Sequence, residues 1–146
     1  VELKKYHVDA LCARMVTHPH TLDVIVASNL FGDILTDIGS AISGSLGVAP
    51  GANINPDRTT PSMFEPIHGS APDIAGKGIA NPIAAIWAGA MMLDHLGERA
   101  AHDRILSAIE GVVADERVKT PDLGGRATTA DMTRAVTAAM STKQPA

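Results

Sequence analysis

Apolar residues along this chain change period several times, and each change marks an element. KKYHVDA, residues 4–10, alternates over strand length and predicts a short strand. ALCARMV, residues 10–16, predicts a helix of about two turns. THPHT is a turn around Pro19, and LDVIVAS, residues 22–28, is an apolar, β-branched run that predicts a second strand. GDILTDIGSAISGS, residues 32–45, returns to helical spacing. From 44 to 82 the pattern is irregular and holds most of the glycines and prolines, with one predicted strand in SMFEP, residues 62–66. Such a stretch inside a compact domain is usually functional or disordered. Its apolar anchors, GVAP, MFEPI and DIAGKGIA, favour an ordered binding loop. Asn81 then serves as an N-cap and Pro82 as a first helical residue. The helix that follows, PIAAIWAGAMMLDHL, is apolar almost all round, hence buried, and Gly97 stops it. Another helix spans roughly 98–117, with Ala101, Ile105, Ala108 and Val112 on one stripe. VKTPDLGGRATT breaks it, and a last helix covers about 130–140, with Thr129 as its N-cap.

Composition bounds what this pattern does. With 146 residues and 45% hydrophobic positions the chain is long enough for a real core. Net charge is −4, and no Lys/Arg run or basic patch studded with aromatics is present, which argues against a nucleic-acid partner. A lone cysteine, Cys12, leaves no internal disulfide framework and no cysteine zinc site, and suits a reducing, cytoplasmic setting. The N-terminal VELKKYHVDA lacks the apolar core of a signal peptide. The longest apolar stretch, around 79–93, is interrupted by Asn81 and Pro82 and is too short for a bilayer. The chain starts at Val1, next to a predicted strand with no leading partner, and is therefore expected to be a fragment.

One pair of side chains stands out. Asp33 and Asp37, in SNLFGDILTDIG, lie four apart on a helix, where like charges repel by roughly 0.2–0.5 kcal/mol. Asp33 serving as a helix-opening residue and Asp37 pointing to water is one reading. The other is a hard divalent cation such as Mg²⁺ or Mn²⁺ held between them. His18 and His20 flank Pro19 in a turn, which accounts for them without a metal. HGSAPDIAGKGIANP, residues 68–82, is rich enough in glycine for backbone N–H groups to approach an anion, and Asp73 is placed to accept two hydrogen bonds from a ribose diol. It is not a dinucleotide fingerprint, because Gly76-Lys77-Gly78-Ile79-Ala80-Asn81 lacks the third glycine. No nucleophile motif is present, Cys12 is structural, and His95 and His102 are expected on solvated helix surfaces.

NLFGDILTD together with FEPIHGSAPDIAGKGIANP closely resembles the β-hydroxyacid oxidative decarboxylases, the isocitrate and isopropylmalate dehydrogenase family. The likeness runs from YHVDA to PDLGG. NPDRTTPSMFEP and DIGSAISGSLG look most like its tartrate and D-malate branch. The resemblance implies an α/β fold, the C-terminal portion of the family's three-layer architecture. Residues 1–43 would end a small dimer-forming domain, and 44–146 would form the C-terminal half of a large cofactor domain. It implies Mg²⁺ or Mn²⁺ at Asp33 and Asp37, with Asp9 completing the site from the partner of a homodimer. It also implies NAD at Glu65, His68, Gly69, Ser70, Ala71, Asp73 and Asn81, with His68 and Asn81 near the adenosine and Asp73 at the ribose. NADP-using members tend to carry Lys-Tyr where this chain has Asp73-Ile74. The family's substrate-binding arginines, proton-donating tyrosine and general-base lysine all precede YHVDA, and Tyr6, Lys4 and Lys5 do not match them. No catalytic residue is therefore expected in these 146 residues. The expected activity of the whole protein is NAD-linked oxidation and decarboxylation of a small 2-hydroxy dicarboxylate. Isopropylmalate dehydrogenase, or a non-catalytic subunit that only binds and oligomerises, remains the alternative.

Overall fold

The computed structural model describes residues 1–141, which divide into two compact units, Val1–Gly44 and the described residues from Ser45 onward. The first contains α1 (Val8–Thr17), a 3₁₀ turn at Pro19–Thr21 and α2 (Asn29–Ile42). Met15 of α1 and Leu35 and Ser40 of α2 are its buried side chains. The helices approach closely at Gly39, where a Cβ would stand 3.4 Å from Met15 Cε. Ser40 sits inside by returning its hydroxyl to the Thr36 carbonyl at 2.8 Å.

Neither strand predicted in this unit forms. Residues 1–7 are irregular, and α1 takes Val8, Asp9 and Ala10 from the end of the first prediction. Residues 22–28 are irregular too, with Val24 86% and Val26 94% exposed. A strand needs a neighbour for its N–H and C=O groups. Among the described residues none pairs with either segment, because the structure's one ladder joins other residues.

The second unit begins with a 3₁₀ turn, Leu46–Val48, and a two-stranded antiparallel ribbon of β1 (Pro50–Asn53) and β2 (Met63–Pro66). The register sets Gly51 opposite Glu65 and Ala52 opposite Phe64. β1 was not predicted, since PGAN contains poor strand formers. It forms because β2 supplies a partner for its N–H and C=O groups. Three helices follow: α3 (Ile83–His95), α4 (Arg99–Asp115) and α5 (Thr129–Ser141). Ile83, Ala108, Ile109, Met132 and Val136 form their shared core, with Trp87, Ile105 and Leu123 packed around it.

The caps follow local chemistry. Asn81 Oδ1 accepts the Ile83 N–H at 3.0 Å and so caps α3 across Pro82. At the other end Gly97 (φ 92°) allows a double closure. Its N–H bonds Asp94 O at 3.0 Å, and the Glu98 N–H bonds Leu93 O at 2.8 Å. α5 is capped by Thr128 rather than Thr129. The Asp131 N–H bonds Thr128 Oγ1 at 3.1 Å, and the Thr128 N–H bonds Asp131 Oδ2 at 2.9 Å. Thr129 turns elsewhere, its hydroxyl donating to the Ala80 carbonyl at 2.6 Å.

Both histidines expected in solvent are packed. His102 is 9% exposed. The inward face of α4 includes the expected stripe, with Ala108 buried and Ile105 and Val112 packed on the core, and is wide enough to take in Ile109 and His102 as well. Its Nδ1 lies 2.9 Å from Asp103 Oδ1, so the buried ring keeps a polar partner. That hydrogen bond is the main reason the Asp103 carboxyl lies below its usual range. His95 is half-buried against Phe64, with ring centroids 5.6 Å apart, and its Nε2 lies 3.3 Å from Ser62 Oγ.

Candidate functional site

The residues expected to carry the metal and cofactor chemistry fall in two groups. On α2, Asp33 and Asp37 are both exposed and sit one turn apart on the same helix face. Asn29, one turn earlier, donates its amide to Asp33 Oδ2 at 3.3 Å. Among the described residues neither aspartate takes part in an ion pair. Hard oxygen ligands in a pair, without a basic side chain to neutralise them, fit a divalent cation. Asp9 on α1 is exposed as well, with Oδ1 accepting the Ala10 N–H at 2.8 Å. Among the described residues no three His, Cys, Asp or Glu side chains converge on a metal-sized site. His18 and His20 lie in their turn with ring centroids 6.1 Å apart, and His18 Nδ1 lies 2.8 Å from Thr17 Oγ1.

The second group is the loop from β2 to α3. Glu65 lies within β2, and His68 follows with Nδ1 3.0 Å from the Gly69 carbonyl oxygen. Gly69, Ser70, Ala71 and Asp73 are exposed. Ala71 has φ 42° and ψ 64°, a left-handed conformation that costs a non-glycine residue roughly 1–2 kcal/mol. Strain of this kind clusters at ligand sites. It starts the 3₁₀ turn Pro72–Ile74, in which the Ile74 N–H bonds Ala71 O at 3.1 Å and Asp73 is presented outward. Gly76 and Gly78 also have positive φ, 75° and 64°. A Cβ at Gly69, Gly76 or Gly78 would meet nothing within 4 Å, so the loop offers bare backbone on an open side. That is the surface a dinucleotide with its phosphates would need.

Asn81 differs from its neighbours. It is 7% exposed and its side chain points into the unit. Nδ2 donates to Asp122 Oδ2 at 2.9 Å, while Oδ1 caps α3. Contact with a ligand is left to its backbone, its second amide hydrogen and the second lone pair of Oδ1. Asp122 and Ser45, which donates to the same carboxylate oxygen at 2.5 Å, escaped the sequence reading. They lie 77 residues apart and belong to no local motif. Burial works to raise the Asp122 pKa, but the hydrogen bonds it accepts, that from Ser45 the largest, together outweigh it and hold the carboxyl below its usual value.

A cleft of about 800 Å³ opens elsewhere, between the end of α4 and the start of α5. Among its lining residues, Lys119 pairs with Glu116 at 3.1 Å and Arg134 with Asp131 at 2.5 Å. Those charges are matched internally, and the cleft shares no residue with the loop or with the aspartate pair.

The chain as a whole is similar to known proteins. The family described as isocitrate/isopropylmalate dehydrogenase matches residues 1–136. The D-malate dehydrogenase [decarboxylating] of Escherichia coli (strain K12) is 61% identical over 137 residues, 90% of this chain and 38% of that protein. A probable tartrate dehydrogenase/decarboxylase of Bacillus subtilis (strain 168) is 60% identical over 133 residues, 91% of this chain and 37% of that protein. Among solved structures, isocitrate dehydrogenase from Methylococcus capsulatus superposes with a TM-score of 0.86 at 50% identity, covering 91% of this chain and 39% of that one. The chain thus spans under two fifths of the length of these relatives.

Proposed function

The chain belongs to the isocitrate/isopropylmalate dehydrogenase family, and from that premise we propose that the full-length protein oxidises and decarboxylates a small 2-hydroxy dicarboxylate of the D-malate or tartrate kind. NAD is the hydride acceptor, and Mg²⁺ or Mn²⁺ is held by Asp33 and Asp37, with Asp9 contributed by the partner of a homodimer. The observation that carries the reading is the pair of exposed carboxylates on α2 with no cationic partner among the described residues. The names of the curated relatives support the branch.

In this reading Asn29 steadies the Asp33 carboxylate, and the i, i+4 spacing offers two oxygen ligands on one side. A bound divalent cation supplies Lewis-acid stabilisation of the negative charge that develops on the substrate's hydroxyl oxygen and on the carbon skeleton as CO₂ leaves. The chain's other task is to bind and orient the cofactor. Glu65, His68, Gly69, Ser70 and Ala71 line its approach along the loop, and Asn81 closes the loop's far end. Asp73, exposed at the head of its turn, accepts hydrogen bonds from the ribose diol. The same carboxylate disfavours the 2′-phosphate of NADP, since like charges in contact cost several kcal/mol.

The unit Val1–Gly44 serves as the end of the small dimer-forming domain, and the residues after it as half of the cofactor domain. Leu30, Phe31, Ile34 and Ile42 on α2 are all more than 40% exposed and give a second copy an apolar surface to cover. A single half-buried cysteine suits a reducing cytoplasm. Among the described residues no helix is long and apolar enough to cross a membrane. The general acid and base, each worth roughly 10²–10⁴-fold, lie outside these residues. Residues 1–146 alone therefore produce no NADH.

Side-by-side assays of the full-length protein on D-malate, tartrate and isopropylmalate, with NAD and Mn²⁺, test the proposal. Turnover of isopropylmalate alone overturns the branch. NADH binding without turnover of any of the three points instead to a non-catalytic subunit.

A further inference from the structure

We propose that Asp122 is a positioning residue for the cofactor: together with Ser45 it holds the Asn81 side chain in one amide orientation, and through Asn81 it fixes the end of the 67–81 loop against the start of α3. The proposal rests on the reading of that loop as the NAD site.

The geometry admits one arrangement of donors and acceptors. The Gly47 N–H can only donate, and it bonds Ser45 Oγ at 2.9 Å. The Ser45 hydroxyl then gives its proton to Asp122 Oδ2 at 2.5 Å. The same oxygen accepts from Asn81 Nδ2 at 2.9 Å. Asn81 Oδ1 in turn accepts the Ile83 N–H at 3.0 Å. Rotating the Asn81 amide by half a turn would set oxygen against the carboxylate and N–H against N–H, so both ends resist the flip. Ser45 and Asn81 are 8% and 7% exposed, so the bonds they make are shielded from water, whereas Asp122 sits at the rim.

Capping α3 needs only the amide oxygen of Asn81, and serine or aspartate would provide an equivalent acceptor. The bond to Asp122 uses the other half of the side chain, which the helix does not require. The neighbouring loop residues are held by the same stretch of chain. The Thr129 N–H bonds Gly78 O at 2.8 Å, and the Thr129 hydroxyl bonds Ala80 O at 2.6 Å. Residues 78–81 are thus suspended from the 122–129 segment at three points, of which Asp122 is the charged one. Gly47 lets the 45–47 turn close over the network, since a Cβ there would stand 2.8 Å from Asp122 Oδ2 and 2.9 Å from Asn81 Cβ.

The test uses the full-length protein, with equilibrium NADH binding by fluorescence titration alongside KM for NAD and for the hydroxy acid. Asp122→Ala is expected to raise the NADH Kd and the NAD KM by about tenfold, the cost of one charge-assisted hydrogen bond, and to leave the hydroxy-acid KM within about twofold. Asp122→Asn is expected to restore most of the binding, because its amide oxygen accepts both bonds in the same rotamer. Ser45→Ala, which spares the α3 cap, gives a smaller shift in the same direction, about threefold, and carries the test if Asp122→Ala does not fold. A purely structural role would instead lower the melting temperature and leave NADH affinity unchanged in the folded variants. Asp73→Ala separates the two levels. If it weakens NADH binding while Asp122→Ala and Ser45→Ala do not, the positioning role is wrong and the cofactor reading stands. If none of the three changes NADH binding, both are wrong.

Discussion

Gly47→Ala is expected to destabilise the second unit more than an alanine at a turn glycine ordinarily does. The new Cβ would stand 2.9 Å from Asn81 Cβ, 2.8 Å from Asp122 Oδ2 and 3.2 Å from Ser45 Oγ. Carbon atoms pack best at about 3.5–4.0 Å, so the methyl is too close by more than about half an ångström on two sides. Asn81 cannot yield without releasing the α3 cap, and Asp122 cannot yield without breaking its bonds to Ser45 and Asn81. Overpacking of this size costs about 1–3 kcal/mol. A displaced hydrogen bond adds about 0.5–1.5 kcal/mol, taken at the low end because Asp122 is solvent-exposed. Together these give about 1.5–3.5 kcal/mol. Gly111→Ala, on the exposed side of α4, is the internal control. A Cβ there meets nothing within 4 Å, and alanine in place of a helical glycine should stabilise by about 0.5–1 kcal/mol. Urea unfolding followed by circular dichroism reads both variants. A Gly47→Ala midpoint at or above wild type, or a Gly111→Ala midpoint below it, would show that the packing around these glycines is not as described.

Asp37→Asn in the full-length protein should raise the Mn²⁺ concentration needed for half-maximal activity at least tenfold, read by metal titration; an unchanged requirement removes the cation from α2. Replacing Asp73-Ile74 by Lys-Tyr should narrow or invert an NAD preference of at least about tenfold in kcat/KM, equal to about 1.4 kcal/mol; equal use of NAD and NADP by the wild type would mean that Asp73 does not face the ribose. Thr128→Ala should cost about 1 kcal/mol by removing the α5 cap. Acid should act in the same place. Hydrogen bonds from Thr128 hold the Asp131 carboxyl below its usual value, so the stability it contributes is present above about pH 4 and is lost as pH falls through the lowered folded value. Thermal melts from pH 7 to pH 2 should therefore show a smaller acid-induced fall for Thr128→Ala than for wild type.

Much of the helical architecture was legible because its signals are local. The run from Asn81 to Gly97 carries a cap, a proline, an apolar stretch and a stop glycine in order, and α3 occupies nearly that span. The α2 boundary was misjudged by three residues because Asn29 and Leu30 carry no period of their own. Strands fared worse, for a physical reason. A strand is a relation between two segments, and periodicity describes only one of them. LDVIVAS has strand composition and no partner among the described residues, while PGAN has the wrong composition and a partner in β2. Burial on α4 shows a milder form of the same limit. The stripe of Ile105, Ala108 and Val112 does face the core, but how wide the buried face is depends on what α3 and α5 present, and this turned His102 inward too.

The candidate functional residues divide along the same line. Asp33 and Asp37 were visible because a helix converts a spacing of four into a shared face, and the mutual repulsion of two carboxylates asks for an explanation. The loop from Glu65 to Asp73 was visible because its glycines and its aspartate are contiguous. Asp122 was invisible. PDL in a Gly-rich break looks like turn chemistry, and aspartate after proline in a turn needs no further account. Its importance arises only where three segments, around residues 45, 81 and 122, meet at a single carboxylate oxygen. Local motifs therefore locate the groups that would touch ligands, whereas the groups that hold them in place emerge from tertiary contact. In this chain the second kind of residue decides what the first can do: Asn81 matches a binding position by sequence, yet one lone pair of its side-chain oxygen and one amide hydrogen are already engaged by Ile83 and Asp122, which leaves its backbone, the second amide hydrogen and the other lone pair to meet a cofactor.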